Sequence, residues 1–193
     1  MIEKITEIVH QSLDVKCRFF AAHTADVSRA ARIVAESIRA GGKVLLFGNG
    51  GSASDAQHIA AEFVNRYLFD HAPIAAIALT TDTSVLTSIS NDSSFIHVFS
   101  RQIAALGKRG DVAIGISTSG SSPNVIEGIK QAKSLHMATI GLLGKDGGHL
   151  AQIVDTPLVV PSTSTPRVQE VHIMIGHILC ELVEGELFGY LQQ

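Results

Sequence analysis

The sequence is short of the features that mark a chain for export, for a membrane or for nucleic acid. Its first residues, Met1-Ile2-Glu3-Lys4-Ile5, mix charged and apolar groups where a secretory leader needs an unbroken apolar stretch, and no apolar span of ~20 residues follows. A cytosolic protein is expected. Cysteine is scarce: Cys17 and Cys180 are the only two, both in amphipathic helical patterns, which argues against a disulfide framework or a thiolate metal site and predicts two buried or half-buried free thiols. There is no Lys/Arg run, and a formal charge of -3 with a pI near 6.3 leaves no electrostatic footprint for nucleic acid. No low-complexity linker interrupts the chain, and no repeat with a period of about 20–50 residues divides it.

What is present suits one hydrophobic core. Of the 193 residues 46% are hydrophobic and 17% charged, so a single domain spanning 1–193 is expected. Residues 2–40 carry apolar positions at helical spacing (Ile5, Ile8, Val9, Leu13, then Val27, Ala30, Ala31, Ile33, Val34, Ile38) and predict two helices before Gly41-Gly42, an N-terminal helical extension. The period then changes. Short apolar runs appear at 44–47, 74–78, 112–116, 138–142 and 158–160, most of them separated by helical patterns, which is an α/β arrangement with a parallel sheet covered on both faces. From Arg167 to Leu187 a long closing helix is predicted, with Pro166 suited to its first turn. Amphipathic helices at both ends of the chain suggest a closed symmetric oligomer, a dimer or tetramer.

Two of the strand-like runs end in Gly/Ser-rich loops that lead straight into helices, so a ligand is expected at the carboxyl edge of the sheet. The first loop reads Gly48-Asn49-Gly50-Gly51-Ser52-Ala53-Ser54. It lacks the third glycine of a dinucleotide fingerprint, and no acidic residue follows the second strand at the usual distance. The second reads Ser117-Thr118-Ser119-Gly120-Ser121-Ser122-Pro123-Asn124 and has the makings of a neutral phosphate cradle, or of an ordinary helix cap. Neither loop is followed by a Walker lysine, so a monophosphate fits better than a nucleoside triphosphate. On the helix after the first loop, His58 and Glu62 share a face, a usable metal-ligand pair or a plain solvated one. The closing helix places Gln169, Glu170, His172 and His177 in an otherwise apolar pattern, where burial without a partner is costly. Spacing favours His172 as the companion of Gln169, since His177 lies about 80° round and ~12 Å further along the axis.

Gly48-Asn49-Gly50-Gly51-Ser52, Asp55-Ala56-Gln57-His58, Glu62, Asn91-Asp92, Ser117-Thr118-Ser119-Gly120-Ser121-Ser122 and Arg167-Val168-Gln169-Glu170-Val171-His172, in this order, resemble the phosphoheptose isomerases, a branch of the SIS-domain proteins. The likeness runs to Phe188-Gly189. It implies a five-stranded parallel sheet flanked by helices in a Rossmann-like three-layer arrangement, and a homotetramer with active sites at subunit contacts. It also implies one zinc ion per subunit, with His58, Glu62, Gln169 and His177 as ligands, so the resemblance selects His177 where spacing favoured His172. Substrate contacts carry over to Asn49, Gly50, Gly51, Ser52, Glu62, Asn91, Asp92, Ser117, Thr118, Ser119, Ser122 and Gln169. One departure is Thr165-Pro166, where many members have an acidic residue.

The implied reaction interconverts D-sedoheptulose 7-phosphate and D-glycero-D-manno-heptose 7-phosphate, on the way to heptose precursors of lipopolysaccharide or another surface polysaccharide. Such an exchange needs a base on carbon, an acid near oxygen and stabilised oxyanion charge. Glu62 is the candidate base and His177 the candidate acid, although a zinc-bound carboxylate is a weaker base. Two rival readings are a non-catalytic SIS protein that binds the replication initiator and an isomerase of another sugar phosphate. The non-catalytic relatives lack the acidic residue and the second histidine that stand here as Glu62 and His177.

Overall fold

The computed structural model of the chain describes residues 1–189. A single helix, α1 (Ile2–Arg39), replaces the two helices predicted for the N-terminal extension. No glycine or proline occurs between residues 2 and 39, so the gap between the two apolar stripes does not break the backbone. It marks a change of neighbour. Val15, Phe19, Val27, Ala30, Ala31, Val34 and Ala35 bury the later part of α1, while Ile2, Ile5, Ile8, Val9 and Leu13 remain exposed. Cys17, two residues from Val15 and Phe19, turns to the outer face and is exposed, contrary to the expectation of a buried thiol. Cys180 is buried as predicted, and burial pushes its thiol pKa up.

The five apolar runs form one parallel sheet: β1 (Val44–Gly48), β2 (Ala76–Ala78), β3 (Val112–Ser117), β4 (Ala138–Gly144) and β5 (Thr156–Val160). Their order is β2-β1-β3-β4-β5, and every neighbouring pair is parallel. Strand periodicity divides the core into two layers. Val44, Leu46, Ile114, Ile140 and Leu142 face α1, α2 (Gly51–Val64) and α7 (Thr165–Phe188). Leu45, Phe47, Ala113 and Leu143 face the other layer, built from α4 (Val98–Leu106), α5 (Pro123–Ser134) and α6 (Leu150–Ile153). The short helix α3 (Thr83–Asp92) and a 3-10 turn at Phe95–His97 join β2 to α4. Both sheet edges are modest: β2 has three residues, and β5 carries Pro157 opposite Gly141. Among the described residues no helix is long and apolar enough to cross a membrane.

This order places the functional loops. The chain leaves β1 for β2 on one side and returns to put β3 on the other, so the connections after β1 and β3 diverge at a switch point. They diverge to opposite faces as well, because α2 belongs to one layer and α5 to the other. A crevice opens between them at the carboxyl edge of the sheet.

Candidate active site

The two loops meet in that crevice through a reciprocal amide pair: Asn49 Nδ2 donates to Asn124 Oδ1 and Asn124 Nδ2 to Asn49 Oδ1, each at 2.8 Å. Asn124 stands in the second loop, yet only the structure gives it this bridging role. Beyond it, Ser117 Oγ lies 2.9 Å from Ser122 Oγ and 3.4 Å from Ser119 Oγ, and Ser121 N donates to Ser119 Oγ. Ser122 is the N-cap residue of α5, but its side chain makes no cap bond. Its hydroxyl turns to Ser117, which favours the cradle over the plain helix cap. The result is a neutral cup of hydroxyls at the free N–H groups of a twelve-residue helix, suited to an anion. Phe95 and Ile96, just after Asn91-Asp92, join Asn49, Ser122, Pro123 and Asn124 around a cavity of about 240 Å³. Asn91 and Asp92 themselves end α3, exposed, with Asn91 Nδ2 donating to Asp92 Oδ1 at 2.8 Å. Another cavity, about 720 Å³ between Arg18, Lys145, Asp146 and residues 161–163, contains none of the predicted site residues.

The second cluster forms where α2 and α7 run side by side in the same direction. Gln169 lies against Gly51, Gly176 against Ile59 and His177 against His58, so the two helices advance in step. Glycine at 176 permits this approach, since a Cβ there would collide with the Ile59 side chain, and a Cβ at 51 would displace the Gln169 amide. His58 Nε2 and His177 Nε2 are 2.9 Å apart, and Glu62 Oε1 is 3.5 Å from the same His58 nitrogen. One imidazole must donate to the other. Asp55, one turn before His58 on the same face, has a buried Oδ2 with no hydrogen-bond partner. Burial raises its pKa and the nearby His58 opposes the rise.

His172 is elsewhere. It is fully buried, its Nε2 donates to the Leu143 carbonyl at 3.0 Å, and its Nδ1 has no partner. Burial depresses its pKa from 6.5 to about 4. Spacing along α7 therefore pointed to the wrong histidine, because the helix is packed on several sides and its neighbour α2 decides which side chain faces the site.

The donors fit zinc in kind, two imidazoles and a carboxylate. In spacing they fit with a small adjustment: nitrogens 2.9 Å apart subtend about 90° at an ion ~2.05 Å from each, whereas tetrahedral ligation wants about 3.35 Å. Within one subunit no three His, Cys, Asp or Glu side chains among the described residues close round a metal. Gln169 stays at the start of α2 beside Gly51, eight residues and ~12 Å along α7 from His177. The structure thus sets His58 beside both His177 and Glu62 and leaves Gln169 with the first loop.

Comparison with known proteins agrees with this architecture. The SIS domain family matches residues 9–144. The phosphoheptose isomerase of Aquifex aeolicus (strain VF5) is 52% identical over 184 residues, covering 95% of this chain and 96% of its own. That of Clostridium acetobutylicum is 60% identical over 157 residues, covering 81% and 80%. The structure of phosphoheptose isomerase GmhA from Neisseria gonorrhoeae superposes with a TM-score of 0.90 at 43% identity, covering 95% of this chain and 98% of that one. With such identity along nearly the whole length, on the five-stranded parallel sheet described above, the chain belongs to the phosphoheptose isomerase family of SIS-domain proteins.

Proposed function

We propose that this chain interconverts D-sedoheptulose 7-phosphate and D-glycero-D-manno-heptose 7-phosphate through an enediol. The observation that carries the reading is the convergence of Glu62 with His58 and His177 on the α2–α7 seam, in a chain whose sheet edge holds a hydroxyl-lined phosphate cradle. Asn49, Gly50, Gly51, Ser52, Ser117, Thr118, Ser119 and Ser122 bind the phosphate end, with Asn91, Asp92 and Gln169 contacting the sugar. Glu62 takes the proton from C1 of the ketose and returns it to C2. His177 gives a proton to O2 and receives the one leaving O1, so the exchange is balanced without a redox partner. His58, Glu62 and His177 would hold a zinc ion, whose Lewis acidity supplies polarisation of the carbonyl and relief of oxyanion charge.

The seam also argues for a partner subunit. The His58 and Glu62 side chains are 48% and 23% exposed, an open setting for an enediol that water should not reach. A second copy laid over the seam would exclude solvent, and Gln169, the remaining member of the ligand set, lies at the near end of the same seam beside Gly51. The reading is accordingly a cytosolic homotetramer with sites at subunit contacts, its product feeding heptose precursors of a surface polysaccharide. A non-catalytic binding role is disfavoured by the presence and convergence of Glu62 and His177.

Incubation of purified protein with sedoheptulose 7-phosphate should yield the aldose, and elemental analysis should find up to one zinc per subunit, removable by a chelator with loss of turnover. Full turnover in rigorously metal-free protein would remove zinc from the mechanism. Inactivity on every heptose and ketose phosphate would pass the chain to the non-catalytic reading.

A further inference from the structure

The loop between α2 and β2 is anchored far more firmly than its connecting task requires. Glu184, on α7, accepts hydrogen bonds from Tyr67 N and Leu68 N at 2.6 and 3.2 Å and pairs with His71 Nε2 at 2.6 Å. The Glu184 and His71 side chains are each only 1% exposed. The His71 ring stacks on Phe188 at 4.8 Å, and Phe69 meets Phe188 edge-on at 6.2 Å. A buried carboxylate carries a large desolvation cost and persists only with several partners. The group this anchor delivers is Tyr67, whose ring lies flat on His177 with centroids 5.6 Å apart and planes inclined by 18°.

His177 has reason to need such a cover. The χ2 torsion of histidine is broad and roughly two-fold, so its rotamer alone does not hold Nε2 toward His58 and Glu62. Its neighbour His58 meets it edge-on, at 75°, and leaves the imidazole face to another group. His177, Glu184 and Phe188 are seven and four residues apart on α7, so the helix that carries the imidazole also carries the fastening for its cover.

We infer that Tyr67 is a positioning residue for His177: held by the Glu184 anchor, its ring fixes the imidazole with Nε2 directed at His58 and Glu62. The inference rests on the reading of His177 as a site residue and adds to it a group from a loop that the sequence does not single out. Stacking of two aromatic rings is worth a factor of about 3–10 in population, which sets the size of the effect.

The test compares Tyr67→Phe, which keeps the ring, with Tyr67→Leu, which removes it. Zinc affinity by chelator competition, kcat and KM on sedoheptulose 7-phosphate, and nitrogen–proton NMR of the His177 ring in zinc-free protein are the readouts. Tyr67→Phe should match wild type. Tyr67→Leu should weaken zinc binding and lower kcat by about 3–10-fold with KM unchanged, and should broaden or split the His177 ring signals. If Tyr67→Leu does not fold, Tyr67→Met fills the space without a flat face and takes its place. Wild-type values throughout in the ring-less variant overturn the inference, as does equal damage from Tyr67→Phe. Wild-type protein that neither binds zinc nor turns over would count against the proposed function instead, and the NMR comparison in zinc-free protein still decides the role of Tyr67.

Discussion

Replacing Gly176 by alanine perturbs the seam on which the proposed chemistry depends, and the structure sets the size of the effect. The new Cβ would lie 2.5 Å from Ile59 Cδ1 and 2.7 Å from Cγ1. Carbon contacts prefer ~3.5–4.0 Å, so about 1 Å must be found. Ile59 is 1% exposed, and a β-branched side chain in a helix has essentially one χ1 rotamer, so α7 must supply part of the clearance. Ile59 adjoins His58, and Gly176 adjoins His177. A shift of about 1 Å would carry their 2.9 Å nitrogen separation to ~3.9 Å, past hydrogen-bonding range and past the ~3.35 Å that tetrahedral ligation of one ion wants. Overpacking costs about 1–3 kcal/mol while the gain in helix propensity returns about 1 kcal/mol, leaving a net loss of roughly 0–2 kcal/mol. The protein should stay folded, with Tm lower by at most about 8 °C. Misplacement of a catalytic group by ~1 Å can cost 100-fold, so kcat should fall far more than stability suggests. Adding Ile59→Val removes the nearest methyl and should recover part of the rate. Thermal melts and sedoheptulose 7-phosphate turnover on the same preparations decide it. A folded Gly176→Ala protein within threefold of wild-type kcat would refute the claim that this approach positions the histidines.

Glu62→Gln and His177→Asn should each lower kcat by at least ~100-fold, and the double variant should lose much less than the product, because both act on one proton transfer. Sugar-phosphate affinity and oligomeric state, followed by calorimetry and light scattering, should survive. Ser119→Ala and Ser122→Ala should raise KM more than they lower kcat, since the phosphate is remote from the reacting carbons; an unchanged KM in both would leave the second loop without a binding role. His172 gives a pH dependence of stability. Its folded pKa of about 4 lies below the ordinary 6.5, so the unfolded chain takes up the proton first as pH falls. Its contribution is intact above pH 6.5 and is lost between 6.5 and 4, by about 3 kcal/mol in all. Urea melts across that range should show wild type losing about 3 kcal/mol more than His172→Gln.

The strands were legible because a doubly covered parallel strand is an uninterrupted apolar run, and each of the five runs became one. The loops were legible because glycine and serine cluster where strand turns into helix. The continuity of α1 was not: two apolar stripes, one ending at Leu13 and the next beginning at Val27, look alike whether the helix breaks or merely changes its neighbour. The outward Cys17 follows from that face of α1 meeting no layer of the fold. The pairing of His58 with His177 depends on the close approach of two helices 119 residues apart in sequence, and its trace in the sequence is Gly176 inside an apolar helical pattern. Glu184 carried a signal of its own, a charge four residues beyond buried Cys180 on the closing helix, where burial demands partners. Those partners, Tyr67, Leu68 and His71, sit in a loop with no motif to announce them.

The two ends of the sheet bear on how the chain can meet other chains. An open strand edge is a template for a further strand, and long apolar edges recruit one indiscriminately. Here β2 offers three residues, and β5 is interrupted by a proline that has no N–H to give. Strand addition has little to build on at either end, so recognition falls to helices, whose knobs and grooves accept only a matching surface. A subunit caught partly unfolded, with its helices loosened, still shows no long strand border on which cross-β stacking could start.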